Sequence, residues 1–213
     1  MYLHRFTAIV SGLFLFAGFA AAQDDFHHLT FNVGGGFTAV TQGVSNRLDH
    51  GGNLQGGVGL NFTRHLGVQG TFMFNGLGIT RSALNAAGQP DGSARVYTFT
   101  VDPKLTVWSG EKASLYLLGG GGWMRRTVEF TQPTLVSTFI FDPWFGYYGP
   151  VLVPANQVLG SITQDTGVWD VGAGFNFPLP RTSAKLYLEA RYFDGMTNGR
   201  HTTLVPITFG VRW

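Results

Sequence analysis

Five charged side chains occupy polar positions in segments whose other face is apolar: Asp102, Lys104, Asp170, Glu189 and Arg191. Carboxylates beside basic groups in a confined space can form ion pairs, relay a proton or block a pore. At about 3.3 Å of rise per residue in a strand, the five lie at similar heights above the nearest predicted turns. We therefore predict a lumen charge network in which Asp170 and Arg191 oppose each other on adjacent strands.

Two interpretations of this network stay open. In the first, the charges neutralise one another inside the protein and determine how the strands align, because buried charges must be paired. In the second, they form a gate or a proton path, and the protein is a small-solute or ion channel. A ring of eight strands leaves an interior that side chains can fill, which argues against a general diffusion pore.

The elements that would hold these charges are eight segments in which large apolar residues alternate with small polar ones. A period of two residues is that of a strand with two different faces. The polar faces carry glycine, threonine, asparagine and glutamine with few charges, so they suit a narrow lumen better than a solvated exterior, and the apolar faces suit lipid. We predict an all-β fold, an eight-stranded antiparallel up-and-down transmembrane β-barrel.

The composition argues against several other classes of protein. The 213 residues include no cysteine, which rules out a disulfide scaffold and a thiolate metal site. Only 12% of residues are charged and the basic ones are scattered, so we predict no nucleic-acid partner. The histidines lack metal-ligand spacing and no serine lies in a nucleophile elbow. We predict no metal, no cofactor and no catalytic residue.

The chain divides into a leader and one domain. Residues 1–22 contain Arg5, the apolar run from Phe6 to Phe19 and three alanines, and they are predicted to be a signal peptide cleaved during secretory export. Residues 23–213 are predicted to form a single barrel domain. Its connections alternate between short and long, as in outer-membrane barrels with short periplasmic turns and longer outer loops.

A long third outer loop is predicted at about 125–165, and we expect part of it to extend the barrel as a hairpin. It is rich in aromatic and aliphatic residues. It could bind an extracellular partner by strand-edge addition or aromatic anchoring, or it could pack on itself over the barrel mouth. Arg125 and Arg126 at its base are predicted to contact lipopolysaccharide phosphates.

The stretch Leu188–Tyr192, followed by Val205–Trp213, resembles the end of the OmpA-like outer-membrane β-barrel family. In that family the last strand ends on an aromatic residue with apolar residues at alternate positions before it, and the barrel-assembly machinery reads this signal. Ile207, Phe209, Val211 and Trp213 match that assembly signal. The resemblance implies a location in the outer membrane of a Gram-negative-type bacterium, in contact with its lipid and lipopolysaccharide.

An enzyme is the rival class, because some eight-stranded barrels modify lipid A. In the lipid A deacylase family a histidine, and a serine two residues later, follow a similar strand, whereas residues 192–197 here read Tyr-Phe-Asp-Gly-Met-Thr. The nucleophile and its base are both missing. We predict a monomeric barrel with a structural or surface-interaction role and no catalytic activity, with the channel and the lipid-modifying enzyme as alternatives.

Overall fold

The computed structural model describes residues 28–41, 47–197 and 200–213. The predicted signal peptide, residues 1–22, lies outside these ranges. The elements are β1 (Leu29–Thr41), β2 (Leu48–Asn61), β3 (Leu66–Ile79), α1 (Arg81–Ala87), β4 (Asp91–Ser109), β5 (Ser114–Asp142), β6 (Tyr147–Pro178), β7 (Lys185–Thr197) and β8 (Arg200–Arg212). No helix in the described ranges is long and apolar enough to cross a membrane.

The eight strands form one closed ring. Each strand pairs antiparallel with the next along the chain, and β1 closes the ring by pairing with β8. Closure gives backbone N–H and C=O groups partners on both sides of each strand, which a lipid environment requires. The predicted eight-stranded antiparallel up-and-down barrel is confirmed.

The alternation in sequence becomes two faces of the barrel wall. In β3, Gln69, Thr71 and Asn75 are each 1% exposed, whereas Leu66 and Phe72 lie on the opposite face and are about half exposed. The other strands repeat this pattern, with large apolar side chains on the outside. The polar face therefore lines the lumen, and the apolar face forms the surface that meets lipid.

Glycine lets neighbouring strands come unusually close at several points in the wall. A Cβ atom on Gly122 would lie 1.9 Å from the backbone oxygen of Phe99, and one on Gly36 would lie 2.0 Å from that of Ile207. No side chain fits at such distances. These glycines are therefore needed for close strand approach, in agreement with the narrow lumen that the glycine content predicts.

The range 125–165, predicted as a long outer loop, needs a corrected boundary. Strands β5 and β6 stay paired as far as Asp142 and Tyr147, so that the connecting turn comprises only residues 143–146. Gly146 has φ of 67°, a conformation that favours glycine in such a turn. The many β-branched and aromatic residues extend the ladder beyond the barrel. Prolines within it are tolerated because strands outside the barrel have free edges.

A short helix occupies the connection between β3 and β4. Helix α1 begins after Thr80, whose hydroxyl accepts a hydrogen bond from the Ala83 N–H, and ends at Gly88 with φ of 63°. It buries Leu84 at the outer end of the barrel. The sequence predicts only a connection here, because seven helical residues, about two turns, give too short a periodicity to recognise.

Candidate functional site in the barrel lumen

Arg191 is the centre of the charge network in the lumen. Its guanidinium contacts Asp102, lies 3.0 Å from Asp170 Oδ2 and lies 3.9 Å from Glu189 Oε1. All four side chains are almost fully buried. Asp102 also accepts a hydrogen bond of 3.0 Å from the Thr100 hydroxyl. The structure thus brings four of the five predicted residues into contact, from strands β4, β6 and β7.

The pairing of Asp170 with Arg191 differs in one detail from the prediction. In the β6–β7 register the partner of Arg191 is Gly172, and the partner of Asp170 is Phe193. A Cβ atom on Gly172 would lie 2.9 Å from Cγ of Arg191, so glycine leaves the room that the long side chain needs. The two charges lie on adjacent strands but not at paired positions. They meet because the long side chain of Arg191 extends past Gly172 to Asp170.

A second basic centre, which the sequence analysis missed, is formed around Arg212. Its guanidinium lies between the rings of Tyr116 and Tyr187, at 4.8 and 5.1 Å from their centroids. It lies 3.7 Å from Glu189, which also accepts a hydrogen bond of 2.7 Å from the Tyr116 hydroxyl. The missed signal was available, because Arg212 alternates with the outward Val211 and Trp213 and must face inward.

Lys104 enters the lumen as predicted but stands apart from the ion pairs. It is 8% exposed, and its ammonium lies 5.7 Å from the centroid of the Tyr116 ring. Among the described residues no carboxylate lies within 4.0 Å of it. It lines a cavity of about 250 Å³ at the end of the barrel that carries the short turns.

The outer half of the lumen contains a buried apolar cluster, which the sequence did not predict. We call this region the apolar plug: Val40, Met73, Leu77, Ala94, Val96, Met124, Val168, Phe193 and Leu204. Its residues are packed against one another and buried. A signal for it exists in the run Phe72-Met73-Phe74, where an inward position is apolar and breaks the alternation. The guanidinium of Arg191 lies 5.2 Å from the Phe193 ring and joins the plug to the charge network.

Arg125 and Arg126 point to opposite faces of the wall. Arg125 is outside, above the Trp123 ring, and its Nε donates a hydrogen bond of 2.7 Å to Asp165. This bond lowers the pKa of the Asp165 carboxyl and raises that of Arg125, at the outer border of the lipid-facing surface. Arg126 faces the barrel mouth, contacts Thr202 and donates to Gln164 at 2.9 Å. The two arginines therefore do not form one cationic patch toward lipid, and lipopolysaccharide contact stays a prediction.

The predicted assembly signal lies at the closing seam of the barrel. Ile207 and Phe209 point outward and are 45% and 69% exposed. Trp213 stacks on Phe31, with ring centroids 6.2 Å apart, and exchanges two backbone hydrogen bonds with it. Val211 lies between Phe209 and Trp213 in the same alternation and is half-buried. Recognition of these residues by the assembly machinery stays a prediction.

Metal binding and catalysis would each need a particular cluster of side chains in the lumen or at the rim. Within residues 28–41, 47–197 and 200–213, no three His, Asp or Glu side chains are arranged to hold a metal ion. At the outer rim, His201 Nδ1 lies 2.9 Å from Asp194 Oδ2. Such a pair can hold an imidazole in one orientation, and hydrolysis would further require a nucleophile or an activated water.

Solved structures with a similar fold are bacterial outer-membrane proteins. Neisserial surface protein A is 10% identical, over 87% of this chain and 96% of its own, with a TM-score of 0.58. A major outer membrane protein from Thermus thermophilus is 12% identical over 88% and 99%, with a TM-score of 0.53. Ail, the attachment invasion locus protein of Yersinia pestis, is 18% identical over 88% and 100%, with a TM-score of 0.45. Identities this low support the fold alone, and the support comes from the two structures with TM-scores above 0.5.

The family comparison covers nearly the whole chain. No curated protein matches the sequence. A family model, described as outer membrane protein beta-barrel domain, matches residues 8–212. Together with the closed ring of eight strands, this match confirms the resemblance on which the assembly signal was identified. The chain belongs to the outer membrane protein β-barrel domain family.

Proposed function

We propose that the chain is a non-catalytic outer-membrane protein that contacts an apposed lipid bilayer through its outer hairpin. The outer hairpin is residues 132–157, which pair only with each other because the β4–β5 ladder ends at Thr131. From residue 132 to residue 142 it extends about 33 Å, at roughly 3.3 Å per residue. The observation that carries the proposal is that this projecting element is apolar, exposed and almost without charge.

The charge and exposure of the outer hairpin are unusual for a segment in water. Asp142 is its only charged residue. Its exposed large hydrophobic residues are Leu135, Val136, Phe139, Ile140, Phe141, Trp144, Phe145, Tyr147, Tyr148, Val151 and Leu152. Exposed apolar patches of this kind mark sites of contact with membranes or proteins. The exposure also favours the binding interpretation over a loop packed on itself above the barrel mouth.

The proline positions favour contact through side chains over strand addition. Pro133, Pro150 and Pro154 lie within the paired strands of the hairpin. Proline has no N–H to donate, and it is one of the residues that protect free strand edges from pairing with another chain. Of the two binding modes expected from the sequence, the structure therefore favours aromatic anchoring.

The tip of the hairpin has the composition of a membrane-interface anchor. Trp144 is 90% exposed, Phe145 76% and Tyr148 68%. Tryptophan and tyrosine concentrate where a bilayer meets water, because each combines an apolar ring with a polar group. Complete burial of an aromatic side chain contributes about 1.5–3 kcal/mol, so Trp144 and Phe145 together account for roughly 3–6 kcal/mol of partitioning.

A flotation experiment tests this proposal. The full protein in nanodiscs is mixed with phosphatidylcholine vesicles, and the fraction that floats with the vesicles is measured. We expect the wild type to float and the double variant Trp144→Ser/Phe145→Ser to lose most of its binding. The matched control Trp144→Phe/Phe145→Leu keeps the tip apolar and should bind like the wild type. Wild-type protein that does not float with the vesicles would overturn the proposed bilayer contact. The apolar surface of the hairpin would then be expected to bind a protein partner.

The channel alternative is weakened by how the lumen is filled. The charge network occupies the middle, and the apolar plug occupies the outer half. Eight strands enclose little more space than such side chains need. We expect no stable single-channel conductance from the refolded protein, and a steady ionic current abolished in an Arg191 variant would reinstate the channel.

The absence of catalysis is also part of the proposal. His201 and Asp194 are the groups on which a hydrolytic activity would have to build. Mass spectrometry of lipid A, from cells with and without the gene, tests the lipid-modifying enzyme. We expect the same acyl pattern in both, and a difference that disappears with His201→Ala would reinstate the enzyme.

A further inference from the structure

We propose that the cavity at the short-turn end of the lumen binds a small oxyanion such as inorganic phosphate, with Lys104 as its main cationic ligand. We call this cavity of about 250 Å³ the vestibule. It is bordered by residues of the turns that follow β2 and β6, by the strand ends on either side of the turn that follows β4, and by Trp213. In outer-membrane barrels the end with short turns faces the periplasm. A free anion in that compartment would have direct access.

The charged side chains around the vestibule all have the same sign. They belong to Arg64, Lys104, Lys185 and Arg212, and no Asp or Glu side chain within the described ranges lines it. Glu189 lies behind Arg212, at 3.7 Å from its guanidinium, and offsets part of that one charge. The concave wall of the barrel surrounds Lys104 and Arg212 with material of low dielectric constant, and Arg64 and Lys185 are exposed at the rim. Such a cleft focuses positive potential and concentrates anions.

Lys104 supplies the second and independent observation. More than nine-tenths of this residue is buried, yet no hydrogen bond or ion pair to its ammonium is found among the described residues. Arg191 and Arg212 at nearby levels each have carboxylate and hydrogen-bonding partners. Burial of an ammonium without an anionic partner is unfavourable, and the Tyr116 ring at 5.7 Å compensates only part of its charge. Because Lys104 lines the vestibule, an anion there would supply that compensation.

Neutral donors in the vestibule fit an oxyanion with several acceptor atoms. Ser114, Thr106 and Ser109 line it and carry hydroxyl groups. The Ser114 hydroxyl accepts a hydrogen bond of 3.2 Å from the Asn176 amide, so its own proton remains available to a ligand. Phosphate offers four oxygens, and charge-assisted hydrogen bonds to such oxygens are stronger than neutral ones. This set of donors favours a tetrahedral oxyanion over a monovalent halide.

Water is the alternative occupant of the vestibule. A cavity of this size and polarity can hold several water molecules, which would solvate the ammonium without any anion. The two possibilities differ in what happens on titration. An anion site saturates and depends on Lys104 in particular, whereas a hydrated vestibule responds to anions only through ionic strength.

The experiment is a calorimetric titration of phosphate into the full protein, refolded in a zwitterionic detergent at constant ionic strength. We expect saturable binding with one site per chain. Lys104→Met should weaken it by roughly tenfold or more, since hydrogen bonds to a charged group are stronger than neutral ones. Lys185→Met at the rim should weaken it less. The matched control is Lys112→Met, which removes the same charge from a turn residue outside the vestibule lining and should bind like the wild type.

The outcomes separate the two occupants. Absence of saturable heat in the wild type would overturn the proposal, even if Lys104→Met does not fold. Equal weakening by Lys104→Met and Lys112→Met would do the same, because it would show general screening. Heat-modified mobility on gels verifies that each variant forms the barrel before its titration is compared.

Discussion

Replacement of Arg191 by methionine is the most informative perturbation of the lumen. Methionine has a similar length and no charge, so the change leaves Asp102, Asp170 and Glu189 buried in one layer without their common partner. Removal of one member of a buried ion pair costs about 3–5 kcal/mol. For a domain of this size each kcal/mol shifts the melting temperature by roughly 2–4 °C, so we expect a decrease of about 6–20 °C.

The assay is thermal unfolding in detergent, followed by circular dichroism and by heat-modified mobility on gels. Arg125→Met is the control, because it removes an arginine from an exposed ion pair with Asp165 and should leave the melting temperature nearly unchanged. Asp170→Asn in the Arg191→Met background should recover part of the loss by removing one uncompensated charge. A melting temperature of Arg191→Met equal to that of the wild type would refute the reasoning that the network stabilises the barrel.

Three further predictions concern the wall, the plug and assembly. Gly122→Ala should prevent refolding or lower the free energy of unfolding by about 3 kcal/mol or more, because its Cβ would lie 1.9 Å from a backbone oxygen of β4 and overpack the wall. Gly160→Ala has nothing within 4 Å of the added Cβ and should be neutral in the same urea titration. Phe193→Ala should lower the free energy of unfolding by about 3–5 kcal/mol through a cavity in the plug, also measured with urea. Trp213→Ala should reduce the amount of assembled barrel that gels detect in cells. Trp108→Ala, which changes an exposed tryptophan at the same end of the barrel, should not; equal effects would refute the special role of the last residue.

The strands and their faces could be predicted because each one separates lipid from a narrow interior. That separation imposes a period of two on the sequence. The inward direction of the side chains of Asp102, Asp170 and Arg191 follows from this period. Their similar height follows from counting residues above the short turns. The contacts between them could not be read in this way, because a long side chain such as Arg191 reaches past the residue opposite it in register.

The missed features are those where the inward residues depart from a simple polar pattern. The apolar plug contains inward residues such as Met73 and Leu77. In a single strand that is expected to have polar residues inward, one apolar inward residue looks like an exception and does not indicate a cluster. Tyr116 and Arg212 occupy inward-facing positions of the alternating pattern, but their contact joins β5 to β8 across the lumen. Contacts across a barrel join strands that are distant in the chain, and one strand's pattern does not contain them.

The composition of the outer hairpin has a consequence for how the protein reaches its final place. Both described ends of the chain, near His28 and at Trp213, lie at the short-turn end, so the hairpin must pass through the hydrocarbon core during insertion. Transfer of a charged side chain into hydrocarbon is far more unfavourable than transfer of an apolar one. Asp142 is the only ionic group of the hairpin. The free-energy barrier to its translocation is therefore smaller than for a charged hairpin of the same length. A charge introduced at the tip should therefore slow insertion before it affects any property of the finished barrel.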